Sequence, residues 1–503
     1  MMSILYPSSK CKSASGIRNK LPKAYMLEDA FIKICPDIKK RAYFLEVLAE
    51  NPDAITAQYR AETIRDFIRE KSLAGQLKEH FRELTNILSD FEDKRKRVFM
   101  LDDKKGSDSS IYVGASRLNI AALTLGQLLS VLHNVSGFLQ PFELHSESLC
   151  LLKKRTEPFL ESEAYRDMLF LCTQYSDFSY EKDDFDLLAR LDDDSRIAES
   201  LFVRQIEKCA PNRLEKGEKF RPKSRKSRLA LFSVHVPERR AESVRNFSDM
   251  IGKYDSNLFI RQSIDTLTEL FVSVIHEIKA EFYALCTELD FYHVAVCYCD
   301  YLSDLGIHAL FPDISDDGGT HFSELYDLFL LTKVGAKATV VPNDFLLDAE
   351  TNGLLIKGDN GSGKTVYIRS IAVAHLLAGA GLPIAAKSAN FTLRKVYSVF
   401  ASSEKKLNES SPDAGRFEEE VKSVAALLEC MDNRSLLILN EIFQTTSYSE
   451  GAEGLYHILN HLSHKGIKWI AVTHMTDLFD LFHSENVRKS EVDKKTHIIR
   501  DFA

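Results

Sequence analysis

Residues 353–365 read Gly-Leu-Leu-Ile-Lys-Gly-Asp-Asn-Gly-Ser-Gly-Lys-Thr, and this run constrains the fold more than any other. An apolar strand pattern, Gly353–Lys357, leads into Gly358-Asp359-Asn360-Gly361-Ser362-Gly363-Lys364-Thr365, which satisfies GxxxxGK[ST] at every position. A helical pattern follows over Thr365–Gly379 and ends at Gly379 and Gly381. Strand, glycine loop and helix in this order form a phosphate cradle. The glycines let backbone N–H groups turn inward on phosphate oxygens, and the helix N-terminus adds partial positive charge. Lys364 is then placed to neutralise the β- and γ-phosphates of ATP, and the Thr365 hydroxyl to coordinate Mg²⁺.

From about Ala336 short apolar runs alternate with helical patterns: Ala338–Val341, Gly353–Lys357, Ser435–Leu439 and Trp469–Val472. This rhythm predicts an α/β domain with buried strands whose ends carry the chemistry. Leu436-Leu437-Ile438-Leu439 ends in Asn440-Glu441, and Trp469-Ile470-Ala471-Val472 ends in Thr473-His474. Glu441 is the candidate general base, polarising water against a γ-phosphate. His474 is the candidate group that donates to the γ-phosphate and senses its loss. Asn440 stands where such enzymes place a metal-holding Asp. Its carbonyl oxygen carries no charge, which predicts weaker Mg²⁺ binding, through a retained water, and slow hydrolysis.

The chain has 503 residues, too many for one core. Gly (22) and Pro (13) are scarce, which points away from turn-rich all-β folds and toward long helices. Residues 1–25 are Ser/Lys-rich and read as irregular. A helical pattern runs from Ala24 to about Ala210, with Asp183–Asp194 an acidic loop or helix face. Over 211–245 eleven Lys or Arg face only four Glu, on a chain whose net charge is −8. That segment reads as a basic loop or a contact to a phosphate backbone. Its two aromatics, Phe220 and Phe232, are too sparse for base stacking. Asn257–Leu305 holds 49 residues without Gly or Pro. Apolar residues recur there at steps of three and four from Ile260 to Val296, a near-heptad stripe. Unbroken, that helix would reach ~70 Å. The predicted organisation is a helical core region (1–210), a basic connecting or clamp-like segment (211–255), a long lever helix and connection (256–330) and a P-loop ATPase domain (331–503).

Nine scattered cysteines without CxxC predict reduced thiols, and Cys297 and Cys299 with His293 read as helix residues facing different directions rather than a metal site. Met1–Lys12 lacks a signal-peptide core, and Ile371–Ala386, the longest weakly charged stretch noted, contains Gly379, Gly381 and Pro383. These features predict a cytoplasmic protein without a membrane span, with nucleoid or nuclear association allowed.

Taken with Phe417, twenty-three residues before Asn440, the three strand ends resemble the MutS family of ABC-type ATPases. Val341-Pro342-Asn343-Asp344, Tyr367-Ile368-Arg369, Gly381-Leu382-Pro383, Asn440-Glu441-Ile442, Thr446-Ser447 and Thr473-His474 are similar to its motifs. The close resemblance covers about 336–485, and a weaker one runs through 50–335, including Tyr59-Arg60 and the long helix. It implies a multidomain protein with a helical core and lever region before the ATPase domain, Val341 as a further nucleotide contact, and ATP and Mg²⁺ as cofactors. It also implies a site shared between two subunits, whose facing chain offers Gly415–Phe417. The partner would be a second copy, a MutS-like heteromer or another protein subunit.

The departures are specific. Phe443-Gln444-Thr445 replaces the usual Gly-Arg-Gly, and Gly415 replaces the serine presented across the dimer, with Arg416 beside it as a substitute. Phe44-Leu45-Glu46 fits the mismatch-reading triplet within a helical pattern and without the surrounding module, so it reads as chance. Few residues follow His474, so the family's C-terminal dimerisation helices are expected to be missing or supplied by another chain. The leading expectation is a MutS-like ATPase coupled through lever helices to DNA, engaged by backbone contacts at 211–245 rather than by mismatch reading. The alternative is an ATP-gated subunit that holds or releases a protein partner without touching DNA. A nucleotide kinase or transporter ATPase fits less well, because the strand-end Glu and His favour hydrolysis.

Overall fold

The computed structural model describes residues 2–7, 21–50, 53–102, 109–178, 185–191, 197–204, 256–315, 318–401, 413–443, 448–484 and 486–502. The basic segment 211–245 lies outside the described residues. The chain divides into two compact units, one of 1–2, 76–143 and 150–286, the other of 3–75, 144–149 and 287–503.

The second unit holds the α/β sequence pattern. Its strands are β3 (Asp313–Ser315), β4 (Thr320–Leu325), β5 (Asn343–Leu347), β6 (Gly353–Lys357), β7 (Ser388–Thr392), β8 (Lys395–Phe400), β9 (Ser435–Asn440), β10 (Lys468–Val472), β11 (Val487–Val492) and β12 (Ile499–Asp501). Six of them form a sheet in the order β12-β11-β6-β10-β9-β8, parallel except for the edge strand β12. The others form a smaller mixed sheet, β3-β7-β4-β5. Every residue of β9 and β10 is buried. That explains why both read as continuous apolar runs rather than as alternation. Each fully buried Leu or Ile there contributes roughly 1.5–3 kcal/mol of burial. The predicted run at Ala338–Val341 is instead a 3₁₀ turn and an extended approach, and β5 begins only after Pro342. Pro342 has no N–H to give a ladder, so the strand starts beyond it.

Helices of the same unit include α1 (Leu27–Ile34), α2 (Ile38–Leu48) and α3 (Ala54–Arg69) near the N-terminus and the short α11 (Leu328–Val334) between β4 and β5. Asp37 caps α2 and Asp53 caps α3, their carboxylates accepting backbone N–H groups. Phe44 of α2 is fully buried, stacked on Phe291 with centroids 5.3 Å apart. It is a core residue, which accounts for its triplet without a reading module. Residues 3–7 are irregular, as expected, yet Ile4 and Leu5 are buried. Ser3 Oγ and the Ile4 N–H donate to Glu288 (2.8 and 2.7 Å), and Arg60 Nε donates to the Leu5 carbonyl (3.0 Å).

The first unit contains most of α4 (Lys71–Asp102), α5 (Ser109–Leu139), most of α6 (Glu147–Thr156), α7 (Pro158–Glu161), α8 (Glu163–Tyr175), and a hairpin of β1 (Phe185–Leu191) with β2 (Ile197–Arg204). The helical pattern expected to run to Ala210 therefore stops at Tyr175, and the acidic 183–194 stretch includes a strand. Short apolar runs such as Leu187-Leu188-Ala189 satisfy either periodicity, so spacing alone did not separate them. Ile111–Leu139 in α5, with Arg117 its one charged residue, is a longer weakly charged stretch than 371–386, has mean hydropathy 1.3 and is long and apolar enough to cross a membrane by length and composition. Over half of it is buried, and α5 packs on α8 and on the helix that starts at Ser256.

The long helix over 257–305 is two helices, α9 (Ser256–Phe282) and α10 (Leu285–Asp304), separated by a turn at Tyr283-Ala284. The heptad steps are interrupted by two successive fours, Val274-Ile278-Phe282. Such an insertion rotates the apolar stripe off its face. The boundary between the compact units follows at 286/287.

Two features of the second unit are directly testable. Helix α12 (Lys364–Gly379) ends at Gly381, whose φ is +79°. A Cβ there would lie 2.5 Å from the Ala57 carbonyl oxygen and 2.9 Å from the Ala61 nitrogen, both backbone of α3. Gly381→Ala is expected to cost more than about 2 kcal/mol in urea denaturation, because backbone cannot give way; a near-neutral change would refute the contact. His375, buried in α12, is held by burial at about 3. The unfolded chain therefore takes up a proton below about 6.5 that the native state refuses until about 3. Stability from this group is fully present above 6.5 and is lost as pH falls toward 3, at up to about 1.4 kcal/mol per unit. Between pH 6.5 and 5, His375→Leu should lose about 2 kcal/mol less than the wild-type chain; identical pH slopes would contradict the assignment.

Candidate nucleotide site

Strand order assembles the site. β10 lies between β6 and β9, so the loops leaving these three parallel strands emerge side by side. Backbone bonds pin the exits: the Thr473 N–H donates to the Ile356 carbonyl (3.1 Å), and the Glu441 N–H to the Val472 carbonyl (2.9 Å).

The 358–365 loop has the backbone of a cradle. Gly358, Gly361 and Gly363 have φ of +148°, +78° and +109°. At Gly358 the approach is also close, since a Cβ would lie 2.9 Å from the Val492 carbonyl oxygen. Asp359, Asn360 and Gly361 are exposed, and Ser362 is buried with no partner for its Oγ among the described residues. Lys364 opens α12 and is buried, and its ammonium donates to the Gly358 and Asp359 carbonyls at 2.8 and 3.1 Å. Those carbonyls satisfy a charge that burial would otherwise penalise. Thr365 is exposed in the first turn.

The other strand ends reach the same ammonium. Glu441 Oε1 lies 3.7 Å and His474 Nε2 3.4 Å from Lys364 Nζ, and His474 Nε2 lies 3.2 Å from Glu441 Oε1. Only Lys364 Nζ can donate in its contact with His474 Nε2, so in that contact the imidazole nitrogen accepts, with the Glu441 carboxylate beside both. Glu441 and His474 are each about 30% exposed, open to solvent on one side. Glu441 sits at φ +56°, left-handed for a residue with a side chain. Strain of that kind gathers at functional positions. Asn440 is buried, and its Oδ1 has no hydrogen-bond partner among the described residues. An unmet acceptor beside a phosphate cradle suits a donor that arrives with the ligand, such as a metal-held water.

Val341 is 41% exposed on the approach to β5. Two residues on, Asn343 bonds to the turn between β11 and β12: its Nδ2 donates to the His497 carbonyl (3.1 Å), and its Oδ1 accepts from the Ile499 N–H (2.9 Å). That turn also borders the cradle. His497 Nδ1–H donates to the Ser362 carbonyl (2.8 Å), and Lys494 approaches Asp359 at 3.7 Å. Sequence reading missed this wall. Its one local signal is Asp493, whose carboxylate accepts from the N–H groups of Lys495 and Thr496. Gly415, Arg416 and Phe417 fall in the first turn of α13 (Asp413–Leu428), and their side chains lie outside the described residues, as do 444–447. Among the described residues no group of three or more His, Cys, Asp or Glu could hold a metal.

A family profile for MutS domain V matches residues 354–500, which contains all three strand ends. That region of the chain is similar to MutS domain V. Proteins named Endonuclease MutS2 align over part of the chain's length. The one from Clostridium botulinum (strain Alaska E43) is 30% identical over 197 residues, 39% of this chain and 24% of the relative. That from Acetivibrio thermocellus is 32% identical over 144 residues, covering 28% and 18%. That from Streptococcus suis (strain 05ZYH33) is 30% identical over 158, covering 31% and 20%. The matches thus span a quarter or less of the curated relatives' own length.

Proposed function

We propose that this MutS-like chain binds and hydrolyses ATP at a site completed by a second subunit, and couples nucleotide state to engagement of DNA. The observation that carries the reading is the meeting of Lys364, Glu441 and His474 at the ends of adjacent parallel strands.

In this reading Lys364 exchanges the Gly358 and Asp359 carbonyls for phosphate oxygens, and Gly358, Asp359, Asn360, Gly361, Ser362 and Gly363 wrap the phosphates with backbone N–H groups. Val341 contacts the nucleotide from its exposed position. Glu441 takes the proton of the attacking water, and His474 turns toward the γ-phosphate and donates to it. Thr365 and Asn440 are the residues that would hold Mg²⁺, which when bound neutralises charge on the β- and γ-phosphates. The exposed Thr365 and the Asn440 oxygen, without a partner among the described residues, both suit that role, and the missing charge at Asn440 favours slow turnover.

The lever in this account is α10 rather than a continuous 49-residue helix. Its Phe291 lies 5.8 Å from the Arg60 guanidinium of α3, and α3 receives Gly381 beyond the end of α12. Closure of two ATPase domains on ATP would shift a two-state equilibrium through these packed contacts. DNA engagement rests on the eleven cations of 211–245 and on relatives whose name denotes nucleic-acid cleavage. Cleavage itself is not carried over, because the matches leave most of those relatives unaligned. A second reading, an ATP-gated subunit that holds a protein partner, draws on the net charge of −8.

Lys364→Ala should weaken ATP binding at least about tenfold. Glu441→Gln should hold ATP, turn over roughly 10²- to 10³-fold more slowly, and elute as a larger assembly when ATP is present. Normal turnover by Glu441→Gln would remove Glu441 from the general-base role. Duplex or forked DNA should bind with little sequence preference and lose at least about tenfold in affinity between roughly 50 and 200 mM salt. Absence of DNA binding, with a stoichiometric protein released by ATP, would favour the second reading.

A further inference from the structure

The turn that presents Glu441 is held from outside the sheet. After β9 the chain passes through Glu441, Ile442 and Phe443, with Glu441 at φ +56° and Phe443 at φ +63°. Two left-handed residues with side chains within three positions are a strained arrangement that the surrounding structure has to hold. Two bonds bracket the turn. On one side the Glu441 N–H donates to the Val472 carbonyl of β10 (2.9 Å). On the other the Phe443 N–H donates to the Glu420 carboxylate (2.7 Å), which projects from α13 and is itself only 9% exposed. Ile442 and Phe443 are both about 99% buried, so water cannot replace that acceptor. A buried N–H left without one keeps its full desolvation penalty, and a charged acceptor makes the bond stronger than a neutral one would.

We infer that Glu420 is a positioning residue for the reaction: through the Phe443 N–H it keeps the left-handed turn in the shape that aims Glu441 at Lys364 and His474. The inference rests on the reading of Glu441 as general base. It also explains how a phenylalanine is tolerated at a positive-φ position, where glycine would need no such tether. Because Glu420 and the Gly415–Phe417 segment belong to one helix, a displacement of α13 is passed to the general base of the same chain.

The test uses the full chain and compares kcat, KM and equilibrium ATP-analogue affinity for wild type, Glu420→Ala, Glu420→Gln, Glu420→Asp, Glu441→Gln and the Glu420→Ala/Glu441→Gln pair. Glu420→Ala is expected to lower kcat about 10- to 100-fold, the range for misplacing a reacting group by about 1 Å, with analogue affinity within about threefold of wild type. Glu420→Gln, whose amide oxygen still accepts the N–H, should stay within about threefold in kcat, whereas Glu420→Asp, one methylene short, should fall. The double variant should be no slower than Glu441→Gln alone, because the two residues act through one carboxylate. Unchanged kcat in Glu420→Ala, a loss confined to affinity, or losses that multiply in the pair would overturn the inference. Should Glu420→Ala unfold, the order of Gln above Asp carries the test, and the reverse order overturns it. Wild-type turnover by Glu441→Gln would instead strike the general-base reading and this inference together.

Discussion

Lys364 is a cation with almost no access to solvent, and the surrounding structure is arranged around satisfying it. Two loop carbonyls accept its protons, a carboxylate and an imidazole stand within 4 Å, and each arrives on a different strand or loop. Such a convergence requires β6, β10 and β9 to be neighbours, parallel and in a register that ends all three at one level. The pairings Ile356 with Val472 and Val472 with Asn440 supply that register. A slip of one residue would turn the side chains of a whole strand to the opposite face. β9 and β10, apolar apart from Ser435, Asn440 and Lys468, are buried along their whole length, which holds the ends in place.

The same cradle is tied outward in three directions. Through α12 it reaches Gly381, where contact with α3 leaves no room for a methyl group. Through the β11–β12 turn it is walled by His497, which bonds the Ser362 carbonyl. Through Phe443 it is joined to α13 by Glu420. Arg60 continues the first path, bonding Glu50 and the Leu5 carbonyl and lying against the Phe291 ring of α10. These are packed, discrete contacts within one compact unit, the kind that switch between arrangements rather than deform gradually.

Much of the cradle was legible because local chemistry dictates it. The 358–365 glycines, the apolar runs of β6, β9 and β10, and the polar residues at their ends are all read from consecutive positions. Pro342 displaced a strand start that a hydrophobic run alone placed too early. The β1–β2 hairpin left no such mark, since neither helix nor strand periodicity was violated there, and the turn at Tyr283-Ala284 was foreshadowed only by the two successive four-residue steps of Val274-Ile278-Phe282, with no Gly or Pro at the break. His497 and Glu420 were invisible for a different reason. Their roles depend on partners 135 and 23 residues away, and nothing adjacent to either residue specifies the pairing.

The most direct test of the central claim is an experimental structure of the chain with Mg²⁺ and a non-hydrolysable ATP analogue. The account predicts that Lys364 Nζ leaves the Gly358 and Asp359 carbonyls for the terminal phosphates, with His474 turned from Glu441 toward the γ-phosphate. A lysine still folded on its own loop, with the analogue bound elsewhere or excluded from 358–365, would contradict it.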